Sequence, residues 1–265
     1  MIYDVCLRPW KYFVKPFRII DGLYYIGNKD VSSYLIYTSK GLIIFDTTFP
    51  QTVYLLLESI REIGFNPREI KYIIHSHAHY DHIGGTKSIV ELTGAKTFLG
   101  MNDIFILEKR NELSWAPEYG VKFYEKFNVD YPLKNEDFIE LGNVNIKCLN
   151  TPGHTPGAMS YFFEMKKGNR VFRVGTHGGP GLNTLSDEYL KKYNIPLDNR
   201  KKYLDSIKEL KKEYVDIFIG IHPDQCNLSS KARKLSDEKN PFINNKEWMN
   251  FLNKLEKTAK VQFNL

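Results

Sequence analysis

The chain has few cysteines, no long apolar run and no low-complexity tract. Its three cysteines, Cys6, Cys148 and Cys226, stand at no metal-like spacing, and so sparse and odd a count argues against a disulfide scaffold. No apolar stretch approaches the roughly eighteen residues that span a bilayer. The N-terminal segment is interrupted by Asp4, Arg8, Lys11, Lys15 and Arg18. It therefore lacks the apolar core of a signal peptide, and the chain as given reads as cytoplasmic. Without Gly/Ser linkers or short repeats, disorder and solenoid architectures are poor readings. Neither sign of charge dominates. The 37 basic and 31 acidic residues leave a net charge of +6 spread along 265 residues. That is a mild preference for anionic small molecules and too diffuse to argue for nucleic acid.

What is present is an alternation of strand and helix patterns. Phe17 to Ile20, Leu23 to Gly27, Ser33 to Thr38 and Gly41 to Asp46 read as strands, with turns at Asp21-Gly22 and Lys40-Gly41. Gln51 to Gly64 has helical periodicity through Val53, Leu56, Leu57 and Ile60. Ile70 to Ile74 is a β-branched strand, His75 to Gly85 a polar loop, Thr86 to Thr93 a helix and Lys96 to Leu99 a strand. Met101 to Tyr131 reads as a helix followed by an aromatic-rich segment. Further strands are expected at Phe138 to Leu141, Val144 to Leu149, Ala158 to Glu164, Arg170 to Val174 and Val215 to Ile221. Charged or amphipathic helices are expected at Asn199 to Glu213 and Asn245 to Lys260. The pattern suggests an α/β chain with two sheets and helices outside, a four-layer αββα sandwich.

Seven histidines are present, and four of them, His75, His77, His79 and His82, fall within eight residues. The segment from Tyr72 reads Tyr-Ile-Ile-His-Ser-His-Ala-His-Tyr-Asp-His-Ile-Gly-Gly. A strand runs directly into it, and functional loops of α/β folds lie at strand ends. His77 and His79 are two apart, so an extended chain projects them to one side. Asp81 and His82 are adjacent and point elsewhere, so one loop can serve two neighbouring metals. Neutral imidazole and carboxylate suit Zn²⁺, and iron or manganese as well. The missing ligands have candidates after two later strands. His154 sits in Thr151-Pro-Gly-His-Thr-Pro-Gly157, and His222 follows Val215 to Ile221.

The pattern His77-Ala-His79-Tyr-Asp81-His82, with His154 and His222, resembles the metallo-β-lactamase superfamily, and most nearly the third subclass of class B metallo-β-lactamases. Supporting stretches are Pro16 to Ile19, Ser32 to Ile36, Ser76 to Gly85, Thr151 to Gly157 and Asn240 to Phe242. The resemblance implies one αββα domain over residues 1–265 with a dinuclear zinc site at the edge of the two sheets. It puts His77, His79 and His154 on one metal, and Asp81, His82 and His222 on the other. Many relatives carry a bridging Asp after the third histidine, but Arg170 to Gly179 contains no acid. That absence favours the lactamase subclass over lactonases and thioesterases. The subclass usually has serines in the following loop. This chain has His177-Gly-Gly-Pro-Gly181, so a substrate carboxylate would be met by glycine N–H groups. His177 is an extra ligand, a proton carrier or a supporting loop residue.

The implied reaction is hydrolysis by a hydroxide held between two zinc ions, whose water pKa falls from about 16 toward about 7. Asp81 orients it for attack on a cyclic amide, the β-lactam ring of penicillins, cephalosporins or carbapenems. A same-fold hydrolase of a lactone, thioester or other small carbonyl compound is the alternative. A phosphodiesterase and a diiron redox protein are weaker readings. The aromatics from Trp115 to Phe127 are candidates for a groove wall or for core. Ser76 reads as a loop cap, His75 as packing, Cys226 as a free thiol and Lys201 to Lys212 as a solvated helix face.

Overall fold

The computed structural model describes residues 2–236 and 238–264. Among them, a first sheet orders seven strands as they occur in the chain. These are β1 (Phe17–Ile20), β2 (Leu23–Tyr25), β3 (Tyr34–Thr38), β4 (Gly41–Phe45), β5 (Ile70–Ile74), β6 (Lys96–Gly100) and β7 (Tyr131–Leu133). Hairpins make β1 to β4 antiparallel, and crossovers make β4 to β7 parallel. The second sheet holds β8 (Phe138–Leu141), β9 (Val144–Asn150), β10 (Met159–Lys167), β11 (Arg170–Thr176) and β12 (Ile217–Phe218). Its order is β12-β11-β10-β9-β8, antiparallel except between β11 and β12.

Period-two alternation explains the layering. Tyr34 and Ile36 of β3, Ile43 and Phe45 of β4, and Ile74 of β5 join Tyr161, Phe163 and Met165 of β10 in the core between the sheets. Leu35, Leu42, Ile44, Ile70 and Ile73 face outward onto helices α1 (Val53–Glu62) and α2 (Thr86–Thr93) through Leu56, Ile60 and Ile89. On the far side, α4 (Asn199–Leu210) and α5 (Glu247–Phe263) cover the second sheet with Tyr203, Ile207, Trp248 and Leu252. Trp248 packs edge-on to Phe162 of β10. The result is the expected αββα sandwich, with unequal sheets. No helix among the described residues is long and apolar enough to cross a membrane.

Several local expectations need correction. The helix expected from Met101 breaks into a 3-10 turn (Met101–Asp103), a short helix α3 (Ile104–Glu108) and another turn (Asn111–Ser114). Trp115 then takes a left-handed φ of +66°, which stops helical propagation, and Pro117 and Gly120 keep the chain irregular. Of Val215 to Ile221, only Ile217–Phe218 pairs as strand. Inside the expected polar loop, Tyr80–Ile83 forms one helical turn. A short helix at Asp187–Tyr193 was not expected. Ser186 starts it by accepting the Tyr189 N–H at 3.2 Å.

Candidate metal centre

The site forms where both sheets end. After β5 ends at Ile74 the chain bends at Ser76 and again at Ala78 and turns helical at Tyr80, which brings the rings of His77 and His79 together, their centroids 4.4 Å apart, while Asp81 and His82 ride on the helical turn. The Pro- and Gly-bounded turn between β9 and β10 brings in His154, and the chain after β12 brings in His222. The structure gathers these residues into two triplets. One is His77, His79 and His154, and the other Asp81, His82 and His222, with ligand atoms in each triplet within 4.8 Å of one another. Each triplet draws on both sheets. The His154 Nε2 lies 3.2 Å from the His79 Nδ1, and Asp81 Oδ2 lies 3.3 Å from His82 Nε2 and 3.7 Å from His222 Nε2. The rings of His77 and His82 are 4.3 Å apart, so the triplets are neighbours.

The outer nitrogens of four histidines are fixed by other groups, which leaves their inner nitrogens free to bind a metal. His154 Nδ1 donates to the Gly181 carbonyl at 2.9 Å, and His222 Nδ1 donates to the Asp30 carbonyl at 2.7 Å. His82 Nδ1 lies 2.8 Å from Asp46 Oδ2, and His77 Nδ1 lies 3.0 Å from the Ser76 hydroxyl. That hydroxyl donates to Asp46 at 2.7 Å. Ser76 is thus a bracing residue, not a nucleophile.

Asp46 was missed by sequence reasoning. Its only local signal is an acid ending the apolar run Gly41 to Phe45. It takes a left-handed φ of +56° at the end of β4 and also accepts the Ser76 N–H at 2.8 Å.

The donor set fits divalent metal. His77 Nε2, His82 Nε2 and Asp81 Oδ1 are buried without a hydrogen-bond partner, although such atoms are normally satisfied. Burial and the neighbouring imidazoles push His77 and His79 well below the usual histidine range. Burial likewise pushes His154 down to about 4. These rings are neutral and ligand-competent at pH 7. For Asp81, burial opposes ionisation, but His82 and His222 outweigh it and hold the carboxyl well below its ordinary range. For His82, burial opposes the charge, and the carboxylates of Asp81 and Asp46 overcome it, raising its pKa.

His177 joins neither triplet. It is buried, its Nδ1 accepts the Gly179 N–H at 3.1 Å, and its Nε2 has no partner. The glycine loop also differs from expectation. The N–H groups of Gly178 and Gly179 are already donated to Ser160 and His177, so they do not await a substrate carboxylate. A Cβ at Gly178 would stand 1.9 Å from the Met159 carbonyl oxygen.

The aromatic segment divides. Trp115 and Tyr119 line the metal cavity, the former with its ring 5.7 Å from that of His79. Phe123 packs on Tyr80, and Phe127 on His75. His75 is buried at the strand end, and its Nε2 lies 3.2 Å from the Thr86 hydroxyl. Cys226 is a buried free thiol. A second cavity of about 400 Å³ adjoins the first triplet. His79, His154, Phe105, Ile106, Tyr189 and Ile195 form part of its wall, and Lys202, whose Nζ pairs with Asp198 at 2.9 Å, is also on its lining.

Residues 26–217 match the family model of the metallo-beta-lactamase superfamily, and the chain belongs to that superfamily. Among solved structures it is similar to BJP-1, a subclass B3 metallo-beta-lactamase of Bradyrhizobium japonicum. The two are 28% identical with a TM-score of 0.87 over 98% of this chain and 97% of that one. It is also similar to LRA-12, a class B3 di-zinc metallo-beta-lactamase from an Alaskan soil metagenome, with 28% identity and a TM-score of 0.84 over 98% of each chain. An N-acyl homoserine lactonase from a Bacillus species is 26% identical over 219 residues, 71% of this chain and 79% of that protein. Family and donor set together make the chain a zinc-dependent hydrolase with places for two zinc ions.

Proposed function

We propose that the chain opens a cyclic amide, the β-lactam ring of a penicillin, cephalosporin or carbapenem. In this reading His77, His79 and His154 hold one zinc ion, and Asp81, His82 and His222 hold the other. Bound zinc supplies a Lewis acid and a water that ionises near neutral pH. The protein's own residues hold and orient the reactants. Asp81 accepts a hydrogen bond from the attacking water, while Trp115 and Tyr119 restrict access from one side. The cavity against His79 and His154 receives the apolar substituent of the substrate.

The observation that carries this reading is the site's lack of a bridging carboxylate. The chain leaves β11 as Thr176-His-Gly, and Asp81 is the acid in the two triplets. The extent of the match to subclass B3 structures supports it further. The second reading, opening of a lactone or thioester, is favoured by the lactonase relatives and by the apolar cavity, which suits an acyl chain. Zinc-loaded protein should be offered the three β-lactam classes, an N-acyl lactone and a small thioester. Ring opening of a β-lactam, abolished by a chelator and by Asp81→Ala, supports the first reading. Inertness to all three β-lactams with turnover of the lactone would replace it by the second.

A further inference from the structure

Asp103 belongs to neither triplet, yet its side chain is fully buried at the turn that follows β6. Its Oδ2 accepts the Ala78 N–H at 2.9 Å and the Thr155 hydroxyl at 2.7 Å, and its Oδ1 accepts the Gly157 N–H at 2.6 Å. Ala78 stands between His77 and His79, and Thr155 follows His154. One carboxylate therefore ties the segment carrying two histidines of the first triplet to the turn carrying the third.

Packing enforces the same approach. A Cβ at Gly157 would stand 2.4 Å from the Asp103 backbone nitrogen, and one at Gly100 would stand 1.9 Å from the Gly157 carbonyl oxygen. The turn is pressed against the end of β6 with no room for side chains. A carboxylate placed here lacks a cationic partner among its hydrogen bonds, and burial pushes its pKa up to about 6 against the pull of its three donors. Filling space alone would be better served by an apolar residue. Asp46 touches the other triplet directly through His82, and reaches His77 of the first only by way of the Ser76 hydroxyl.

We propose that Asp103 is a positioning residue that sets the spacing of His77, His79 and His154 and leaves the other triplet unaffected. The proposal rests on the reading of those three histidines as ligands of one metal. Asparagine cannot substitute. Its amide keeps the shape but turns one acceptor into a donor, which then faces the N–H of Ala78 or of Gly157.

The test measures zinc binding by competition with a chromophoric chelator. In a His222→Ala background, which impairs the second triplet, Asp103→Asn is expected to weaken zinc binding by about tenfold or more. In a His154→Ala background, which impairs the first, the same change should alter binding by less than about twofold. Thr155→Val removes one of the three hydrogen bonds and keeps the carboxylate. It should weaken binding at the first triplet about threefold, and it carries the test if Asp103→Asn does not fold, as judged by circular dichroism. Equal weakening in both backgrounds, or no weakening by either variant, overturns the positioning role. Failure of the unmodified protein to bind two equivalents of zinc is a separate result. It overturns the ligand reading beneath the proposal.

Discussion

The carboxylate of Asp46 lies 2.8 Å from Nδ1 of His82, across thirty-six residues of sequence and from the end of a neighbouring strand. The same carboxylate holds the Ser76 backbone and hydroxyl, so it braces the histidine-bearing segment at both its beginning and its helical turn. Removing it strips three hydrogen bonds at once from fully buried partners. Asp46→Ala is expected to cost about 3 kcal/mol of stability and to weaken zinc binding at the second triplet roughly 10- to 100-fold. Thermal unfolding and zinc titration check the two effects separately.

Zinc uptake at the second triplet should release a proton. Without metal, the His82 imidazolium is favoured by Asp46 on one side and Asp81 on the other, despite its burial. Zinc on Nε2 takes the place of that proton. The histidines of the first triplet are already neutral. Affinity at the second triplet should therefore fall more steeply on acidification through neutral pH. Calorimetry in two buffers of different ionisation enthalpy should give about one proton per zinc at the second triplet and close to none at the first. The sign for the metal-free protein follows as well. A raised histidine pKa stabilises the fold below the unfolded value, about 6.5, and that contribution fades as pH climbs through the raised value.

Glu213 supplies an acid-sensitive tie beneath the second sheet. It accepts from Lys147 of β9 at 2.8 Å and pairs with Arg173 of β11, with 14% of its side chain exposed. Burial opposes its ionisation, but the two cations win and lower its pKa. Its stabilisation is present above the unfolded glutamate value of 4.5 and is lost as pH falls below it. Glu213→Gln should cost about 1 kcal/mol at pH 7 and flatten the acid limb of the stability profile. An unchanged slope in urea denaturation between pH 3 and 5 would count against this tie.

Placing a serine in the glycine loop should fail. In Gly178→Ser the new Cβ meets the Met159 carbonyl oxygen, and the loop must separate from β10. About 1–3 kcal/mol of stability should be lost, and KM for any β-lactam turned over should not fall. A serine variant with unchanged melting temperature and lower KM would show that the loop yields more readily than this packing implies.

The sequence made legible what is local. Six clustered or strand-terminal residues stand out because each follows a strand or shares a short motif, and the structure gathers all six into the two triplets. The alternation of apolar positions along β3, β4 and β10 made the layers readable for the same reason. Asp46 and Asp103 were not legible. Their roles exist only through contacts with Ser76, His82, Ala78 and Thr155, which the fold brings together from distant positions. The segment from Met101 to Tyr131 misled because an apolar, aromatic composition is compatible with helix. The left-handed backbone at Trp115 has no signature in side-chain pattern. Whether Trp115 to Phe127 formed wall or core likewise depended on which rings the irregular chain turned toward His79.

Both triplets straddle the two sheets, so on the proposed ligand assignment each bound zinc ion is a rivet between the N-terminal and C-terminal parts of the chain. Resistance to unfolding is then set partly by the surrounding metal supply. At free zinc one hundredfold above a site's dissociation constant, each rivet adds about 2.7 kcal/mol. A cell that withholds zinc would thus disarm the enzyme and shorten the life of the protein itself.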